Sequence, residues 1–95
     1  MSLRAAYRTH AARRHEVRIS NDRITATAER YHFVARVPIL CECSERDCTA
    51  VFPIDIEEYR RARRVYPDCV LTAPGHVADG ADPALKLRDY WLQLP

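Results

Sequence analysis

No stretch of this 95-residue sequence stays apolar over the roughly 20 residues that a membrane-spanning helix needs. The first twenty residues also lack the apolar centre of a secretory signal and carry Arg4, Arg8, Arg13, Arg14 and Arg18 in its place. Both absences predict a cytoplasmic, reducing environment. Glycine is scarce, with only Gly75 and Gly80, and no Gly-rich phosphate loop can be built from them. H-E-x-x-H, G-x-S-x-G and paired catalytic carboxylates are missing as well. Glu57 and Glu58 are neighbours that point apart on a helix, which makes them a cap and a solvated face. An enzyme is therefore not expected.

What is present is an ordinary globular balance, 47% apolar and 29% charged, in a chain long enough for one domain. A chain this short buries a small fraction of its surface, so a metal staple would add usefully to its stability. The formal charge of +2 is too small to imply nucleic acid by itself. It is unevenly placed, however. Met1 to Arg36 hold eight arginines against Glu16, Asp22 and Glu29, a net +5, and the remainder is net −3. Such a segment would meet an acidic surface, either a protein partner or nucleic acid bound through Arg4, Arg8, Arg13, Arg14 and Arg18; the plainer reading of these arginines is a solvated helix face. Lys86 is the single lysine among 15 basic residues, a compositional bias with no mechanism attached.

Leu3, Tyr7, His10, Arg14, Val17, Asn21, Ile24, Ala28 and Tyr31 recur in steps of three and four, although His10, Arg14 and Asn21 are polar. With no proline before Pro38, this predicts a helix from about His15 to Tyr31, extended toward Leu3 or frayed there. From Phe33 the pattern becomes β-favouring through Val34, Val37, Ile39, Leu40 and Cys41, and it does so again from Thr49 to Ile54. Pro38 and Pro53 suit edge strands. The polar stretch Glu42 to Asp47 joins the two runs into a hairpin. Asp55 followed by Glu58 marks a helix start, with Glu58 placed to reach back. Ile56, Tyr59, Ala62, Arg63 and Tyr66 continue that helix as far as Pro67. Cys69 to Thr72 reads as a strand, Ala73-Pro-Gly-His as a turn, Val77 to Pro83 as a loop, and Leu85 to Leu94 as one or two strands. The expected class is α+β: N-terminal helix, hairpin, second helix, C-terminal strands.

The cysteines carry the chemistry. Cys41 and Cys43 are two apart in a strand, so both sulfurs project from one face, and the polar turn brings Cys48 back toward them. Three thiolates within eight residues supply most of a tetrahedral zinc site, which is completed by histidine or a fourth cysteine. The C-x-C spacing departs from the usual C-x₂₋₄-C. His76, at the bend of a Pro-Gly-His turn, is the preferred fourth ligand. Cys69 is the alternative, but its apolar neighbours Val70 and Leu71 suit a packing role. His10, His15 and His32 lie on the first helix and are read as surface residues. An iron–sulfur cluster could also use Cys₃His, but the long separation of Cys48 from His76 favours zinc. In a reducing compartment these cysteines read as metal ligands, or as a reversible thiol switch, rather than as structural disulfides. The expected organisation is a basic arm over 1–14, a helical extension or disordered, on a single zinc-stabilised domain over 15–95.

The run Val37-Pro-Ile-Leu-Cys-Glu-Cys-Ser-Glu-Arg-Asp-Cys-Thr, then Ile56-Glu-Glu-Tyr-Arg, then Ala73-Pro-Gly-His resembles a small actinobacterial domain family of uncharacterised activity. Its pattern is C-E-C-x₄-C, then E-Y, then P-G-H, and Asn21-Asp-Arg-Ile is similar to its helix segment. The likeness covers roughly Asn21 to Leu94. The chain departs from it in a shorter C-terminal strand pair, Leu85 to Leu94, and in a longer basic N-terminus. The resemblance implies that Cys41, Cys43, Cys48 and His76 form one set, and it implies no activity. The function expected from the sequence is a small zinc-binding interaction or regulatory module, in signalling or transcription, with a structural Cys₃His site. The alternative is a redox-sensing thiol switch that releases zinc on oxidation.

Overall fold

The computed structural model describes residues 9–32 and 35–95, with side chains from Arg13 onward. The expected extension of the first helix toward Leu3, and Phe33 and Val34 at the head of the first strand, lie outside the described residues. Helix α1 spans Thr9–Arg30, uninterrupted by glycine or proline. Among its described side chains only Asn21 and Thr25 are buried, with Ile24 and Ala28 packed against the core beside them. Within Arg13–Arg30, the packing therefore falls from Asn21 onward. It ends when His32 takes a left-handed conformation (φ 55°) and donates its amide to the Glu29 carbonyl, a termination more often given to glycine.

Strands β1 (Val37–Leu40) and β2 (Val51–Ile54) form an antiparallel pair, with Val37, Ile39, Phe52 and Ile54 on the buried face. Pro38 stands directly opposite Pro53. Two prolines can face each other only where neither nitrogen is needed in the ladder, so this pair keeps both outer edges poor in donors. Cys41 donates to the Ala50 carbonyl at 3.0 Å, carrying the pairing one step beyond the strands and into the cysteine turn.

Helix α2 (Ile56–Val65) begins at Asp55, whose carboxylate accepts from the Glu57 amide at 2.8 Å. Glu58 does not reach back to the cap as its spacing suggests; its carboxylate accepts from the Tyr90 hydroxyl at 2.8 Å. Ile56, Tyr59 and Ala62 form the buried stripe. Strands β3 (Val70–Thr72), β4 (Asp82–Lys86) and β5 (Trp91–Leu94) make an antiparallel sheet with β5 in the centre. Strand β4 starts inside the stretch expected to be a loop: Asp82 and Pro83 pair with Leu94 and Gln93, and an irregularity between Pro83 and Leu85 absorbs the extra residue. Phe52 and Tyr90 stack with ring centroids 5.7 Å apart, joining the two sheets over one core. The class is α+β, in the expected order of helix, hairpin, helix and C-terminal strands.

Candidate metal centre

Cys41, Cys43, Cys48 and His76 come together at the end of the β1–β2 hairpin, with their ligand atoms all within 4.8 Å of one another. His76 Nδ1 lies 3.5 Å from Cys41 Sγ and 3.5 Å from Cys48 Sγ. Four such atoms converging at this spacing are close enough to bind one metal ion. All four cysteines are free thiols, and Cys69 lies outside the group. Its buried sulfur instead faces the Ala62 carbonyl at 3.8 Å and the Arg63 guanidinium at 3.6 Å. His15 and His32 are exposed, and the side chain of His10 is outside the described residues.

The backbone around the thiols is turned to receive negative charge. The Ala73 amide donates to Cys41 Sγ at 3.2 Å, and the Cys43 amide also faces that sulfur. The amides of Glu45 and Ala50 serve Cys43 and Cys48 in the same way. Burial acts against ionisation. It pushes the Cys41 thiol up to about 12 and raises Cys43 as well. At Cys48 burial also works upward, but the Ala50 amide, the neighbouring thiols and the Arg13 cation outweigh it, so that thiol sits below its ordinary value. Three sulfurs supplied with amide donors, two of them buried and Cys48 partly so, are suited to become thiolates once a cation compensates them.

His76 is held from behind. It follows the Pro74-Gly75 bend, where Gly75 takes φ 84°, a conformation that strains any residue with a Cβ. The His76 amide closes this turn on the Ala73 carbonyl at 3.1 Å. The His76 carbonyl accepts from Gln93 Nε2 at 2.7 Å and from the Thr72 hydroxyl at 3.1 Å, and both of those side chains are fully buried. Gln93 Oε1 accepts from the Ala78 amide on the far side of the loop. Ser44 then ties the loop to the cysteine turn: its amide donates to the Val77 carbonyl and its hydroxyl accepts from Asp79.

Glu42, between Cys41 and Cys43, turns inward. Its carboxylate forms an ion pair with Arg63 and accepts from Asn21 Nδ2 at 2.7 Å and from the Leu71 amide at 3.0 Å. This side chain therefore links α1, α2 and β3 to the peptide that carries two of the sulfurs. Arg13 reaches the same turn from α1. It donates to the carbonyls of Cys43 at 2.6 Å, Cys48 at 3.0 Å and Cys41 at 3.4 Å. Arg14 and Arg18 donate to the Asp79 and Pro67 carbonyls at 3.1 and 2.5 Å. Sequence reasoning missed Glu42, Arg13 and Gln93 as supports of the site. The one available signal was that Glu42 sits inside the C-E-C motif.

No family model matches the chain, and neither does any curated protein or solved structure. Among the described residues, no helix is long and apolar enough to cross a membrane.

Proposed function

We propose that this chain is a zinc-stabilised interaction module in which Cys41, Cys43, Cys48 and His76 hold one structural zinc ion. The observation that carries this reading is the equal 3.5 Å approach of His76 Nδ1 to two sulfurs. A tetrahedral zinc with Zn–S about 2.3 Å and Zn–N about 2.0–2.1 Å has a sulfur–nitrogen edge of about 3.5–3.6 Å. The corresponding sulfur–sulfur edge is about 3.8 Å, so the widest spacing of 4.8 Å contracts by roughly 1 Å on metal binding. The C-E-C-x₄-C and P-G-H pattern supports taking the four residues as one set. Four protein ligands leave no open position for water, so the role is structural and not catalytic. The module acts in a reducing cytoplasm and engages a partner protein with an acidic surface, as suits the basic bias of the N-terminal third.

The test is metal analysis of the purified chain, with unfolding followed before and after chelation. One colourless zinc per chain, and loss of cooperative unfolding on its removal, are expected. A metal-free chain that still unfolds cooperatively overturns the reading, and a coloured iron-containing product replaces zinc with a cluster.

A second reading has its own support: Cys48 is the least buried of the three thiols and the one held below its ordinary value. In a redox sensor, hydrogen peroxide would take two electrons from two of these thiolates. One S–S bond forms, the peroxide O–O bond breaks to give two waters with two added protons, and zinc leaves. Rapid zinc release under mild peroxide selects this reading; retention selects the structural one.

A further inference from the structure

Between Arg13 and Ser20, α1 has no buried apolar anchor. No side chain in that stretch is buried, and the next one, Asn21, begins the part that packs on β1. What fastens the stretch is a set of arginine-to-carbonyl bonds. Arg14 and Arg18 each use one, to Asp79 and Pro67. Arg13 uses three, and all three acceptors are carbonyls of the cysteines in the candidate site. Three carbonyl oxygens of the cysteine turn thus converge on one guanidinium with their negative ends together. A guanidinium, planar and always charged, is the side chain suited to bridging them.

We propose that Arg13 is the outer positioning residue of the metal site, and that it makes docking of the first half of α1 depend on metal occupancy. This rests on the zinc reading above. A zinc ion with three thiolates and a neutral imidazole carries one net negative charge, which the Arg13 cation offsets in a partly buried setting where charge interactions are strengthened. The same guanidinium fixes the relative positions of the three ligand peptides. Without the metal the cysteine turn is free to open and its carbonyls separate, so α1 loses the triple contact at Arg13. The basic turns are then released from the body, and Arg13 becomes available to an acidic partner. The metal site therefore controls how much of the basic helix is presented.

The experiment uses the full chain. Zinc affinity is measured by competition with a chelator for the wild type, Arg13→Gln, Arg13→Lys and Arg18→Gln, and amide exchange over residues 13–20 is followed in the wild type with and without zinc. Arg13→Gln should weaken zinc by about 10–100-fold, the usual worth of an outer partner. Arg13→Lys should fall between it and the wild type, because it restores the charge but not the fork. Arg18→Gln, whose acceptor is not a ligand residue, should stay within about twofold of the wild type. Removing zinc from the wild type should speed exchange over 13–20 before it does so in α2. An unchanged affinity in Arg13→Gln, an equal loss in Arg18→Gln, or protection of 13–20 that outlasts that of α2 as zinc is withdrawn each overturns the proposal while leaving the zinc site standing. A wild-type chain that binds no zinc overturns the metal reading itself. Should Arg13→Gln not fold, the lysine variant and the wild-type exchange data still decide.

Discussion

The Glu42 carboxylate and the Arg63 guanidinium form an ion pair at 2% and 10% side-chain exposure, so the residue between two candidate ligands is locked to the second helix. Taking away one partner leaves the other charged and buried, which typically costs about 3–5 kcal/mol. Glu42→Gln and Arg63→Met should each destabilise the metal-loaded chain by that order, while the double variant should lose less than the sum because no orphaned charge remains. Denaturant midpoints of the three variants provide the check. Additive losses would mean that the two residues stabilise the fold independently.

His76 and Cys69 are separated by a second pair of variants. His76→Ala removes one of four converging ligand atoms and should weaken metal retention by more than the roughly 10–100-fold worth of an outer partner. Cys69→Ala truncates a buried side chain outside the group, and should cost about 1–3 kcal/mol of stability at unchanged metal content. Metal loss in Cys69→Ala with retention in His76→Ala would make the site Cys₄.

The order of the elements was legible because each carries a local signal. β-Favouring apolar runs mark β1 and β2, Asp55 marks the start of α2, and Pro74-Gly75 marks the turn that presents His76. The cluster itself was legible for a similar reason, since a C-x-C pair places two sulfurs on one face whatever surrounds it. Its supports were not. Glu42 reads as part of a polar, exposed turn beside Ser44, Glu45 and Asp47, and its burial becomes visible only once Arg63, 21 positions away, folds over it. Gln93 ends up fully buried between Thr72 and His76 through pairings that no local pattern encodes. For the arginines of α1 the sequence offers only a docking surface or, more plainly, a solvated face. Arg13, Arg14 and Arg18 instead reach carbonyls in distant loops, a kind of contact with no sequence periodicity at all.

Two of the five tyrosines should titrate late. Burial, and then a hydrogen bond to the Asp22 carboxylate, raise the Tyr59 phenol; burial and the Glu58 carboxylate do the same for Tyr90. A phenol raised on folding stabilises the native state fully below its unfolded value of about 10 and loses that contribution as pH rises through the folded value. Alkaline unfolding should therefore begin above about pH 10, with these two phenols ionising as the fold is lost. Tyr59→Phe should weaken that pH dependence. Absorbance at the phenolate band, followed beside circular dichroism, tests this, and ionisation of all five tyrosines together near the ordinary value with the fold intact would refute it.

Asn21 gives the sharpest test of the buried polar network, because its side-chain amide acts as a partner strand for a single residue. Its Oδ1 accepts from the Leu40 amide at 2.8 Å, and its Nδ2 donates to the Leu40 carbonyl at 2.9 Å and to Glu42 at 2.7 Å. Asn21 itself is fully buried. Asn21→Leu keeps the apolar contact but leaves the Leu40 amide, the Leu40 carbonyl and part of the Glu42 carboxylate without partners. At about 1–3 kcal/mol for each unsatisfied buried group, the loss should be about 3 kcal/mol or more. Asn21→Asp is nearly the same size and retains an acceptor for the Leu40 amide. It nevertheless turns an oxygen toward a carbonyl and sets a second carboxylate against Glu42, so at neutral pH it should destabilise at least as much as leucine does. In Asn21→Leu, which leaves the Leu40 amide unpaired, amide exchange at Leu40 should rise by more than exchange at Ile54 on the paired strand. If Asn21→Asp proves as stable as the parent chain, the side-chain amide does not donate to Glu42, and the link from α1 to the cysteine turn has to run through Arg13 alone.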